Sequence, residues 1–311
     1  MSRLIVSEAP ASVFELAVIS GKGGTGKTSI VASFAVLADN AVLADCDVDA
    51  ADLHLVLSPE VKRRVDFYSG HLAVIRKDDC LGCGECLARC RFEAVCVNGS
   101  GNANAPFWID PIACEGCGTC VRFCPEQAID FPERHSGEWF VSETRRGPMV
   151  YGRLGLAQAN SGKLVSTVRR QAKLVAEERR RRLIIIDGPP GIGCPVIASV
   201  TGASLVLVVT EPTVAGEHDL DRVLRLTKHF GIPAAVCVNK WDLNPTVTER
   251  VEVKARERGA AIAGRVRYDR GVTAAQLHAK ATVELDCEAA ADIRALWRDL
   301  CDIGVAYGTA L

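Results

Sequence analysis

Ile19-Ser20-Gly21-Lys22-Gly23-Gly24-Thr25-Gly26-Lys27-Thr28-Ser29-Ile30 decides the fold. Gly21 to Thr28 fit GxxxxGK[ST], with the apolar run 16–20 before them and the helix-length stretch 27–38 after them. That strand, loop and helix context is the one the spacing requires. Gly21, Gly23, Gly24 and Gly26 let backbone amides close around phosphate oxygens at a helix N-terminus. Lys27 then supplies a point charge to the terminal phosphates, and the Thr28 hydroxyl is placed to ligate Mg2+. A nucleoside triphosphate site follows.

Outward from this loop, residues 41–44, 183–186, 205–209 and 234–238 form further short apolar runs. They are continuous rather than alternating, as strands buried on both faces are. Helix-length stretches at 163–180 and 217–229 lie between them. The expected class is α/β, a mostly parallel sheet flanked by helices, with ligands at the carboxyl ends of its strands.

The 311 residues carry 37 basic against 38 acidic side chains, 48% hydrophobic residues and a mean hydropathy of +0.13. Such a chain buries a core, and its net charge of −1 gives no field that recommends nucleic acid. Met1 to Pro10 lacks the pattern of a secretory signal, and no apolar stretch reaches the ~20 residues of a membrane span. A cytoplasmic protein with no membrane partner is expected. Arg179 to Arg182 read as a solvated helix end rather than a DNA patch, and Arg145-Arg146 stays open between the same two readings.

From Asp78 to Phe131 cysteines, glycines and short polar connections replace the apolar rhythm, which resumes after Gly152. The expected organisation is one domain at 1–77 and 132–311, interrupted by a small α+β domain at 78–131. Cys80, Cys83, Cys86 and Cys90 follow CxxCxxCxxxC, and Cys114, Cys117, Cys120 and Cys124 repeat it, with Pro125 after the last. Two copies of the bacterial ferredoxin run point to two [4Fe-4S] clusters, the fourth cysteine of each run serving the other cluster. Cys80, Cys83, Cys86 and Cys124 are thus assigned to one cluster, and Cys114, Cys117, Cys120 and Cys90 to the other. Zn2+ is the alternative for thiolates at this spacing. Arg91 replaces the proline expected after Cys90 and brings a cation near one cluster. Of the six other cysteines, Cys46, Cys237 and Cys301 read as buried small hydrophobes, while Cys96, Cys194 and Cys287 have no role fixed by spacing.

With Lys22, the loop reads KGGxGK[ST] and resembles the deviant Walker A ATPases, which include MinD, ParA, the Mrp-type iron-sulfur carriers and nitrogenase iron protein. The resemblance implies that Lys22 reaches the phosphates held by a second subunit in a nucleotide-dependent dimer, either a homodimer or a heterodimer with a paralogue. Asp45-Cys46-Asp47 closes a strand, and the resemblance implies that Asp47 orients the attacking water and supports the metal, with Asp45 a weaker candidate. It likewise implies that Asp187, in Asp187-Gly188-Pro189-Pro190-Gly191, holds Mg2+ through water. Lys22, Lys27, Asp47 and Asp187 are the expected catalytic set. Asn239-Lys240-Trp241-Asp242 fits the NKxD of guanine readers, whereas the resemblance points to ATP with Asn239 on the adenine; Asn239 and Asp242 are the candidate nucleotide-binding residues of this segment. Cys194 lies seven residues after Asp187, as does a bridging-cluster cysteine of nitrogenase iron protein, but the second cysteine of such a site is missing between Cys124 and Cys194.

The chain resembles MinD-superfamily ATPases with an inserted ferredoxin domain, of the cobyrinic acid a,c-diamide synthase nucleotide fold. Asn160-Ser161-Gly162-Lys163-Leu164-Val165, Glu211-Pro212-Thr213 and Tyr268-Asp269 add weaker matches. The resemblance implies ATP hydrolysis coupled to electron transfer, or to iron-sulfur or metal-cofactor handling, for a partner protein. An ATP-switched positioning or regulatory protein with redox-sensing clusters is the alternative.

Overall fold

The computed structural model describes residues 13–98, 107–155 and 161–306. Met1 to Pro10 and Asn160 lie outside them. Along the chain, β1 (Phe14–Ser20), α1 (Lys27–Leu37), β2 (Ala41–Asp45), α2 (Leu53–Leu57) and β3 (Glu60–His71) come first. The cysteine-rich segment contributes β4 (Val74–Ile75), α3 (Glu85–Arg89), β5 (Val95–Val97), β6 (Phe107–Ile109), α4 (Thr119–Arg122) and β7 (Ile129–Asp130). Then follow β8 (Glu133–Thr144), β9 (Gly147–Leu154), α5 (Ser161–Glu178), β10 (Leu183–Pro190), α6 (Cys194–Val200) and β11 (Leu205–Thr210). The chain continues with α7 (Val214–His229), β12 (Ala234–Asn239), α8 (Pro245–Glu257), β13 (Ala261–Val266), α9 (Arg270–Leu277) and α10 (Glu288–Ala306).

Two compact units result, one of Met1–Val65, Trp139–Arg153 and Ser161–Leu311, the other of Asp66–Glu138 and Leu154–Asn160. In the first, the sheet runs β13-β12-β11-β1-β10-β2-β9 and continues to β8 and β3. All six pairings from β13 to β9 are parallel. Every residue of β1, β2, β11 and β12 is buried, which is why these strands read as unbroken apolar runs. Phe34, Leu43, Leu57, Ile185, Leu207, Ile293 and Leu296 belong to one core. The exposed face of α5 is charged, while Leu164, Val165, Val168, Ala172 and Val175 recur at helical spacing on its buried face.

Two features escape the apolar-run reading. The β8–β9 hairpin begins before Gly152, which lies within β9, and β9 pairs with β2 through Leu43–Met149 and Asp45–Tyr151. β13 pairs with β12, although Gly264 and Arg265 interrupt its apolar pattern. Thr213 and Asp269 are caps, accepting hydrogen bonds from the amides of Gly216 (3.0 Å) and Gly271 (2.7 Å) to open α7 and α9.

The second unit has two-stranded antiparallel ladders β4–β7 and β5–β6 and one-turn helices α3 and α4. Its core is small: Ala73, Cys86, Ala94, Val95, Phe107, Cys114 and Ile129. Leu72, Ile75, Ile109, Val121 and Phe131, partly buried, pack against it.

Candidate functional site

The carboxyl ends of β1, β2 and β10 converge on the glycine loop. Gly24 (φ 79°) and Gly26 (φ 85°) take left-handed conformations that a side chain resists. A Cβ at Gly26 would also collide with the Asn239 amide. Gly26 caps α1 without a side-chain acceptor, so the first-turn amides remain available to an anion. A cavity of about 480 Å³ opens here, lined by the loop and by Asp47, Asp49, Asp52, Pro189, Pro190 and Gln276, among others.

Lys27 is buried in this unit, with its ammonium 3.0 Å from Asp187 Oδ1 and 3.5 Å from Asp47 Oδ2. Burial alone would lower its pKa, but the carboxylates of Asp187 and Asp47 outweigh it and raise the value. Asp187 is 1% exposed, and its second oxygen, Oδ2, has no hydrogen-bond partner. A buried carboxylate oxygen without a donor is costly, so the site is built for a further positive group. The Thr25 hydroxyl is similarly buried and unpartnered. Burial, followed by the charge of Asp187, pushes Asp47 up to about 6, against the pull of Lys27.

Asp45 has a different task. It is fully buried, and its two oxygens accept from the amides of Asp47 (3.1 Å) and Leu53 (3.2 Å), tying down the segment that presents Asp47. Burial and the neighbouring Asp187 raise its pKa well above the ordinary carboxylate range.

Lys22 and Lys240 share one acid: Glu211 lies 3.1 Å from Lys22 and 2.5 Å from Lys240. Burial works to raise the pKa of Glu211, but the two ammonium groups outweigh it and lower the value. Asn239 donates to the Thr25 carbonyl at 2.7 Å and buttresses the loop from behind. Asp242 Oδ1 accepts from the Tyr268 amide at 2.7 Å. Lys22, Asp187, Asn239 and Asp242 are not among the residues lining the cavity, whereas Gln276 is. Gln276 donates to Ser29 Oγ at 2.9 Å from α9, and nothing in its sequence neighbourhood marks it.

The second unit repeats one local design. Gly82 and Gly84 (φ 71° and 79°), then Gly116 and Gly118 (φ 64° and 73°), take left-handed turns on either side of Cys83 and Cys117. At Gly116 a Cβ would strike the His71 carbonyl. One pocket is lined by Cys80, Cys83, Cys86 and Cys124, the other by Cys90, Cys114, Cys117 and Cys120. Burial pushes the Cys120 thiol up to about 11, while the Thr119 hydroxyl lowers the pKa of Cys117.

Among the other cysteines, Cys46 and Cys237 are buried, Cys301 is only half-buried at the end of α10, and Cys194 is exposed at the start of α6. Arg145 and Arg146 pair with Glu284, and Arg179 with Glu143, so these arginines are engaged within the fold. Among the described residues no helix is long and apolar enough to cross a membrane.

Residues 16–283 match the family model of the CobQ/CobB/MinD/ParA nucleotide binding domain. The chain is 36% identical over 236 residues to an uncharacterised protein, MJ0578, of Methanocaldococcus jannaschii, covering 75% of this chain and 80% of the relative. A second uncharacterised protein of that organism, MJ0579, is 25% identical over 234 residues, covering 74% and 81%. Among solved structures, the cell division ATPase MinD of Pyrococcus furiosus superposes with a TM-score of 0.54 at 16% identity, covering 93% of this chain and 99% of its own. MinD of Pyrococcus horikoshii, complexed with Mg-ADP, gives 0.54 at 14% identity, covering 95% and 99%. A ParA family ATPase from Chlorobium tepidum gives 0.52 at 14%, covering 93% and 98%. At such identities these structures are similar to this chain in fold.

Proposed function

This chain belongs to the CobQ/CobB/MinD/ParA family of nucleotide-binding domains, and from that premise we propose that it is an ATP-driven switch, a Mg2+-dependent ATPase whose nucleotide state controls a protein partner. The observation that carries this is the buried Lys27 held between Asp47 and Asp187, with an unpartnered Asp187 oxygen beside a glycine loop whose amides are open. Lys27 and the loop amides bind the terminal phosphates. Thr28, Asp47 and Asp187 would hold Mg2+, which neutralises charge on the phosphate oxygens when bound. Asp47 orients the water that attacks the terminal phosphorus as the bond to ADP breaks. Asp45 holds the Asp47 segment still, and Lys22 leaves Glu211 for the phosphates of a second subunit, identical or paralogous. Neither nucleic acid nor membrane enters this scheme, which suits a cytoplasmic protein.

The cysteine unit is proposed to hold two [4Fe-4S] clusters, on Cys80, Cys83, Cys86 and Cys124 and on Cys114, Cys117, Cys120 and Cys90. Support comes from the two four-cysteine pockets, each lined by the cysteines that the paired CxxCxxCxxxC runs assign to one cluster. The clusters would supply one-electron chemistry or redox sensing. The family likeness favours the switch, with redox-sensing clusters, over electron delivery. Delivery to a redox or metallocofactor partner is the second reading, and it rests on the cysteines alone.

The test is ATP turnover and partner capture by the anaerobically purified protein, with iron and acid-labile sulfide measured on the same sample. Mg2+-dependent hydrolysis that Lys27→Ala abolishes, together with ATP-dependent partner binding, is expected. Hydrolysis indifferent to Lys27 overturns the switch, and zinc without sulfide overturns the clusters. ATP-dependent reduction of a partner would promote electron delivery over sensing.

A further inference from the structure

Beyond the nucleotide loop and the cysteines, the second unit brings Asp66, His135 and Glu138 together. One ligand atom from each lies within 4.8 Å of the other two. We propose that these three side chains form a binding site for a single divalent transition-metal ion of the Zn2+ type, separate from both other sites.

The convergence has a local cause. Side chains alternate along a strand, so residues 135 and 138 of one strand belong on opposite faces. Here His135 is exposed, Ser136 and Gly137 are both buried, and Glu138 is again partly exposed. Two consecutive buried residues depart from simple alternation and leave His135 and Glu138 both more exposed than the residues between them. The Ser136 hydroxyl pins the irregularity by donating to the Ser69 carbonyl at 2.9 Å. Asp66 is on β3, and Tyr68, two residues on, packs edge-on against the His135 ring at 5.4 Å and 73°. That contact holds the imidazole with Nε2 toward Asp66, 3.5 Å from Oδ1. Two donors bound to one ion at about 2.1 Å in tetrahedral geometry stand about 3.4 Å apart. The pair is therefore already at ligand spacing.

The donors choose the class of ion. One imidazole and two carboxylates suit Zn2+ and its first-row neighbours, while Mg2+ prefers oxygen ligands and its own waters. With Asp66 and His135 both about half exposed, the remaining coordination positions are open to water, so the site is expected to be exchangeable rather than structural.

The experiment is titration of the full chain with Zn2+ by calorimetry, wild type beside His135→Ala and the near-isosteric Glu138→Gln. The cysteines contribute equally to all three, so the difference between curves isolates this site. Wild type should bind one more ion per chain than His135→Ala, and Glu138→Gln should weaken that ion about 10- to 100-fold, the loss typical when one group supporting a metal is removed. A tenfold excess of Mg2+ should not displace it. Equal stoichiometry in wild type and His135→Ala, or displacement by Mg2+, overturns the proposal and leaves a surface ion pair. Both substitutions are at solvent-facing positions, and far-UV circular dichroism checks that the variants keep the fold.

Discussion

The glycine loop and the cysteine runs are both recognised by short motifs with left-handed glycines, yet they are held in opposite ways. The loop joins a fully buried strand to a helix, and its charged groups are fixed by one another: Lys27 by Asp187 and Asp47, Asp47 by the hydrogen bond its backbone N–H donates to Asp45, Lys22 by Glu211. The cysteine unit has one-turn helices, two-residue strands and a seven-residue core that includes two of the cysteines themselves. The first site is held by charges that fix one another. The clusters proposed for the second would supply part of its stability, as in small metal domains where binding energy is folding energy.

The largest expected effect breaks this comparison if it fails. Cys86→Ser or Cys114→Ser, each removing a buried thiol of one pocket, should unfold the second unit and leave the first intact. Limited proteolysis would then cut between residues 66 and 138 while ATP binding persists. Loss of ATP binding in the same variants would show that the nucleotide site is not preformed. Next in size, Lys27→Ala should abolish turnover by weakening nucleotide binding. Asp47→Asn should lower turnover by about 10²–10³-fold, the scale of a positioned catalytic group, with nucleotide affinity kept. Comparable loss of affinity in Asp47→Asn would make Asp47 a binding residue.

A smaller effect sharpens the same contrast. Burial holds the Asp47 pKa at about 6, above its unfolded value, so the protonated form is favoured in the folded protein. Its catalytic carboxylate is complete well above pH 6 and is lost as the pH falls through that value. The pH profile of kcat/KM, which reports the free enzyme, should show an acid limb near 6. An acid limb near 4 would mean that Asp47 is as solvated as an ordinary carboxylate.

Legibility followed the range of the interactions. The loop, the Asp45–Asp47 pair and each cysteine run are local in sequence, whereas Asp187 lies 160 residues from the Lys27 it meets. Glu211 is 189 residues from Lys22, and neither its segment nor that of Gln276 announces the partner it meets in space. β8 was hidden because Glu133, Arg134 and Glu138 interrupt it with charge, and the buried pair Ser136 and Gly137 breaks the period of two on which strand reading depends. The Asp66, His135 and Glu138 set was invisible for the same reason. Asp45 and Asp47 stand two residues apart in one short motif, and the structure gives them different surroundings: Asp45 accepts hydrogen bonds from two backbone amides, while Asp47 lines the cavity.

The smallest expected effect concerns the base. NKxD alone suggests that Asp242 reads guanine, but here its Oδ1 accepts the Tyr268 amide at 2.7 Å and Asn239 donates to the Thr25 carbonyl. Asn239 thus braces the glycine loop and Asp242 the backbone at Tyr268, so each side chain is engaged within the fold. Asp242→Asn keeps an oxygen for Tyr268 and removes the charge. Hydrogen bonds to charged groups are worth about 1.5–3 kcal/mol, so a guanine-reading carboxylate replaced this way would shift the GTP to ATP affinity ratio by roughly 10- to 100-fold. A bracing carboxylate should shift it by less than about threefold, because the amide contact survives. Competition binding of the two nucleotides to wild type and variant separates these outcomes, and a tenfold shift would return the site to guanine recognition.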